Sequence, residues 1–222
     1  MNLDYLSSLV EKLRKEAIGE PRKIEEKQAY EYQDQSAKVV AVLKLVRAAH
    51  GINAMNLLCR AGLFIDFGAI VRCVYDCTEE VYFLLEEFPR ASGNVDKFVK
   101  SFFATTIDGY LSNETPPVPR KKIRSAAVRV LKGDEGTRAG MENIYKTFCG
   151  FVHADYSHIM EVYNGGSYDF NVSGVPSVKE RQKRMEHVAF AANAVLHTAA
   201  FISDTLGVTD FPLTLREPEQ PA

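Results

Sequence analysis

An all-α bundle is the fold class this chain predicts, and three observations carry it. Apolar residues recur at three- and four-residue spacings over most of the length, and the breaks fall at glycine and proline. Only one short stretch, 161–172, alternates with period two. The longest apolar segment, Gly62 to Phe88, is apolar around most of its circumference, as expected of a helix surrounded by others. With 222 residues, the chain is long enough to bury a full core, and one domain of about seven helices is expected.

Residues 2–19 read as an amphipathic helix, with Leu3, Leu6, Leu9, Val10 and Leu13 on one face and Gly19 before Pro21 to end it. A second helix is predicted from Ile24 to about Ala49, charged at first and apolar from Val39. Gly51 interrupts it, and Ile52 to Ala61 resumes the pattern as far as Gly62. The central helix then runs to Pro89, since the residue before a proline is pushed out of the helical region. Ser92 to Asn94 form a loop, Val95 to Leu111 a helix, and the proline-rich run 113–119 a surface connection too short to divide the chain. A basic helix from Arg120 to Lys132 precedes a turn at Gly133 to Gly136, and 137–160 is helical again. Val162 and Tyr163, then Asn164-Gly165, then Tyr168, Phe170 and Val172 suggest a short β-hairpin, with an irregular loop as the alternative. The last helix spans roughly Ser177 to Leu206, stopped by Gly207, and a frayed tail from about 208 is expected.

Composition narrows the function classes. A formal net charge of -2 argues against coating nucleic acid by bulk electrostatics, although a local basic patch is compatible with it. The first twenty residues carry charges throughout and have no apolar run of the kind a secretion signal needs. No segment reaches the roughly 18 uninterrupted apolar residues of a membrane span. Four cysteines without a secretion signal are expected as reduced thiols, in a cytoplasmic protein that does not engage a membrane.

The chemistry-bearing residues are few. Arg72 and Asp76 sit one turn apart on the central helix, where a guanidinium is costly unless partnered. His153, in the stretch GFVHADYSH, is placed to join them through Asp76, Glu79 or Glu80. Such a set either pins two helices in register or lines a pocket, with His153 moving a proton and Arg72 holding an anion. A basic cluster, Arg120, Lys121, Lys122 and Arg124, is either a solvated helix face or a phosphate-contacting face for RNA or nucleotide. Cys73 and Cys77 share a helix face, but no second ligand pair accompanies them, so no metal site is expected. His-Glu-x-x-His, Gly-x-Ser-x-Gly and a phosphate loop between strand and helix are all missing, so no cofactor is implied.

The pairing of GLFIDFGAIVRCVYD with the later YKTFCGFVHADYSH resembles a family of uncharacterised all-helical bacterial proteins carrying Arg-x-x-x-Glu and Val-His. That family is similar in architecture to the HEPN superfamily, and the likeness covers roughly residues 40–200. The matching positions are Arg72, Asp76 (in place of glutamate) and His153. The resemblance implies one of two functions in a bacterial defence or stress system. One is a non-catalytic bundle that binds a protein partner or nucleotide; the other is a metal-independent ribonuclease. The ribonucleases carry Arg-x(4–6)-His, with arginine on phosphate and histidine near the 2′-hydroxyl. His153 lacks that arginine; Arg181 and His187 have the spacing, although about one such match is expected by chance. A homodimer is also implied, and symmetric dimers are the commonest oligomers.

Overall fold

The computed structural model describes residues 2–25, 29–90, 92–104 and 117–208. Among these are eight helices and two two-stranded sheets, so the all-α class with a short hairpin is confirmed.

Helix α1 (Leu3–Ile18) starts where the Asn2 side chain accepts the Tyr5 N–H at 2.9 Å. It buries Leu6, Val10 and Leu13 and ends at Gly19, whose φ of 65° suits glycine. Strands β1 (Arg22–Ile24) and β2 (Ala29–Glu31) then form a hairpin where a helix was expected from Ile24. The charged stretch there has no apolar stripe to bury, so nothing holds it helical. Arg14 ties the hairpin to α1, donating to Glu11 and to Glu20 and to the Tyr32 hydroxyl.

Helix α2 (Ala37–Ala61) begins at Ser36 and passes without a break through Gly51. The expected interruption does not occur because Gly51 is a contact residue. A Cβ there would lie 2.5 Å from Val74 Cγ2, so its hydrogen lets the neighbouring helix come close. Gly62, left-handed at φ 76°, ends α2, and α3 (Phe64–Leu85) turns back against it. From Cys77 to Leu85 every residue of α3 but Glu80 is buried, as the apolar circumference predicted.

Helix α4 (Gly93–Ala104) covers the first part of the helix expected over 95–111; the rest, most of the 113–119 connection and the tail from 209 lie outside the described residues. Helix α5 (Arg120–Val130) follows. Helix α6 (Glu135–Val152), capped by Asp134, stops eight residues short of the expected end. Ala154 takes a φ of 52°, and the Asp155 N–H closes onto the Gly150 carbonyl before α7 (Tyr156–Met160) begins. Strands β3 (Tyr163–Asn164) and β4 (Asp169–Phe170) pair antiparallel within the predicted hairpin. Helix α8 (Val178–Leu206) runs from a Ser177 cap to Gly207 in the left-handed region.

Helix α3 packs most extensively on α2 and also meets α5, α6 and α8, while α1 closes over α2 and α8. One continuous apolar cluster joins Leu13, Leu45, Met55, Val74, Leu84, Ile123, Val195 and Ile202. A strap between the hairpin and α8 crosses the α2–α3 corner. There the Val175 N–H bonds the Gly62 carbonyl at 2.9 Å, and a Cβ on Gly174 would fall 2.0 Å from the Ala61 carbonyl oxygen. No helix among the described residues is long and apolar enough to cross a membrane.

Candidate functional site

On α3, residues 72, 76, 79 and 80 fall at spacings of four, seven and eight, which puts all four on one stripe. Helix α5 crosses that stripe and directs Arg120 and Arg124 into it, one turn apart. Asp76 pairs with both Arg72 and Arg120. Arg120 also reaches Glu80 at 2.8 Å and Glu79 at 3.4 Å, and Arg124 Nε lies 3.4 Å from Glu79. From α2, Lys44 pairs with Glu80 at 2.7 Å and lies over the Phe98 and Phe102 rings of α4. From α6, Tyr145 offers its ring to the Arg72 guanidinium at 3.7 Å and to that of Arg124 at 4.7 Å. Five helices thus meet on one ionic cluster of four cations and three carboxylates.

Burial makes the cluster energetically demanding. The Glu79 side chain is only 6% exposed and that of Arg124 10%. Burial pushes the Glu79 carboxyl above its ordinary value, against the pull of Arg120 and Arg124. Among the described residues, Arg72 Nε, Arg120 Nε and Arg124 Nη2 are buried without a hydrogen-bond partner. Glu79 Oε2 and Glu80 Oε2 are likewise buried without a hydrogen bond, although each carboxylate faces at least one cation. The arrangement ties α2, α3, α5 and α6 to one another.

His153 is not part of it. Because α6 ends at Val152 and the chain reverses through Ala154, the imidazole is turned out to solvent at the helix end. Asp76 is held by two arginines instead of by an imidazole. The buried Arg72–Asp76–His153 set is therefore corrected to Arg72–Asp76–Arg120, with Tyr145 beneath. The second pair also comes apart. Arg181 directs both Nε and Nη2 at the Val175 carbonyl, at 3.1 and 2.9 Å, and so clamps the strap. Six residues further on, roughly 240° around the helix, His187 sets its ring edge-on to Phe148. Partial burial and then Arg184 pull the His187 pKa below its ordinary value.

The basic face of α5 is likewise divided. Arg124 is buried and Arg120 half-buried against α3, while Lys121 and Lys122 are exposed. A sign of this was present in the sequence: positions 120, 123, 124 and 127 form one stripe, on which Ile123 and Ala127 are apolar. Lys44 and Tyr145 had no such signal, since each comes from a helix whose docking angle no local pattern sets.

Beside the cluster, the Cys73 thiol is pulled down to about 6 by a hydrogen bond with Cys77, with Arg47 and Lys44 helping against burial; the same bond and burial push Cys77 up. All four cysteines are free. Among the described residues no three His, Cys, Asp or Glu side chains converge as a metal site.

Fold and site together define a helical bundle bound through a buried ionic cluster. No family model, no curated protein and no solved structure matches the chain.

Proposed function

We propose that the chain is a non-catalytic helical bundle, similar to the HEPN superfamily, that binds a protein partner in a bacterial defence or stress system. One observation carries this reading: in both Arg/His pairs suggested by the sequence the two groups are directed away from each other. His153 faces solvent, and Arg181 donates to a backbone carbonyl. General acid–base cleavage of RNA needs both groups within hydrogen-bond reach of one ribose-phosphate unit. A protein partner is favoured over RNA because, of the four cations between Arg120 and Arg124, two turn inward to carboxylates.

The test is incubation of the purified protein with mixed cellular RNA in EDTA. No cleavage above the buffer control is expected. Cleavage lost in His153→Ala or in His187→Ala would establish the metal-independent ribonuclease instead and overturn the reading.

A further inference from the structure

We propose that Cys73 and Cys77 form a redox-responsive dithiol on α3: a peroxide oxidises Cys73, and Cys77 converts the product to a disulfide. The proposal does not depend on what the bundle binds or on whether it is catalytic.

Helix geometry brings the two thiols together. Four residues apart on one helix, they share a face, with about 5–6 Å between their Cβ atoms. The Cys77 thiol donates a hydrogen bond to the Cys73 sulfur. Their surroundings differ in the way such a pair requires. Cys73 is half-buried, whereas Cys77 is only 4% exposed, so an oxidant arriving from solvent meets Cys73 first. Cys59 is no rival, because it is fully buried and donates to the Arg181 carbonyl at 3.2 Å.

Two cations of α2 face the pair. Helices α2 and α3 pack antiparallel, with Gly51 against Val74 at one level and Lys44 paired with Glu80 at another, 2.7 Å apart. Arg47 falls between these levels, one turn before Gly51 and alongside the turn of α3 that carries Cys73 and Cys77. Against burial and the charge of Glu80, the Cys77 hydrogen bond, Arg47 and Lys44 hold Cys73 largely as thiolate at neutral pH. Thiolate is the form that attacks a peroxide. Cys77 keeps its proton for the step that follows.

The Cys73 thiolate attacks one oxygen of hydrogen peroxide. An S–O bond forms, the O–O bond breaks, and the departing hydroxide takes a proton from solvent to become water. Sulfur is oxidised by two electrons to a sulfenic acid, and the peroxide is reduced. The Cys77 sulfur then attacks that of Cys73: the S–S bond forms, the S–O bond breaks, and hydroxide leaves with the Cys77 proton as a second water. A disulfide holds its Cβ atoms about 3.5–4.5 Å apart, so α3 must tighten by about 1 Å between the two residues. Asp76 lies in that turn, and its pairs with Arg72 and Arg120 move with it. Oxidation is thereby coupled to the contact between α3 and α5.

Mass spectrometry of the full chain, treated with a small molar excess of hydrogen peroxide at neutral pH, tests this. Trypsin, cutting after Arg72 and Arg90, releases residues 73–90 as one peptide that contains these two cysteines and no other. That peptide should lose two hydrogens and regain them with dithiothreitol. In Cys77→Ala the sulfenic acid should persist and be captured by dimedone at Cys73; in Cys73→Ser neither product should form. The oxidised chain should melt at a lower temperature than the reduced one, and the melt of Cys73→Ser should not respond to peroxide. A 73–90 peptide that stays reduced while Cys149 is oxidised would overturn the proposal. So would a peptide that gains oxygen instead of losing hydrogen, or a disulfide between two chains. A disulfide that leaves the melt unmoved would overturn its coupling to the ionic cluster.

Discussion

Arg72 is held by Asp76 one turn along its own helix and by the Tyr145 ring across the α3–α6 contact. Replacing it with alanine leaves Asp76 to Arg120 alone and removes the guanidinium from the Tyr145 ring, at an expected cost of about 1–3 kcal/mol, measured as a fall in the urea unfolding midpoint. Glu79 gives the cluster a pH signature. Its folded pKa lies above the unfolded one, so the native state binds more protons and loses stability as pH rises through the ordinary carboxylate range. Glu79→Gln removes that dependence: the melting temperature of the variant, relative to the parent, should be higher near pH 7 than about pH 4. At Cys73 the hydrogen bond with Cys77 favours thiolate. Alkylation by iodoacetamide at neutral pH, followed by peptide mass spectrometry, should label Cys73 well before the buried Cys59, whose thiol burial pushes up. Equal labelling of the two would contradict the local electrostatics.

Helix contacts turn on two glycines that local pattern alone misreads. Gly51 looked like a break and is instead a point where α2 packs against Val74 of α3; a Cβ on Gly68 would come 2.3 Å from the Phe151 ring on α6. Gly68→Ala should therefore destabilise the protein by about 1–3 kcal/mol despite the better helix propensity of alanine. The second change Phe151→Leu should return part of it. The same comparison shows what could be read in advance. Apolar spacing located α1, α3 and α8, because there burial and local preference agree, and period-two alternation around Asn164-Gly165 located the β3–β4 hairpin. It extended α2 backward into the β1–β2 hairpin and α6 forward past Val152. Past Val152 the chain's turn is made by a backbone closure, Asp155 onto Gly150, that carries little sequence signature. The candidate site was half legible. Arg72 and Asp76 meet because they share a helix, whereas the third member depends on how two distant helices dock, and that made it Arg120 instead of His153.

At the scale of the molecule, cations are distributed so that few remain for a polyanion on α5. With Arg120 and Arg124 facing α3, Lys121 and Lys122 are left outermost. Binding of single-stranded RNA, followed by filter retention against salt, should show a log–log slope no steeper than about −1.5, the value for two phosphate contacts. A slope of twice that size would mean that a wider basic surface operates. The strap has a different consequence. The hairpin is gripped on both flanks, by Glu161 with Arg184 before it and by Val175 with Gly62 and Arg181 after it, while Gly165 and Gly166 at its tip are exposed. A protease that severs the tip therefore cuts one covalent bond in a body still clasped by every other contact. The two fragments should co-elute as a nicked but folded complex and separate only in denaturant.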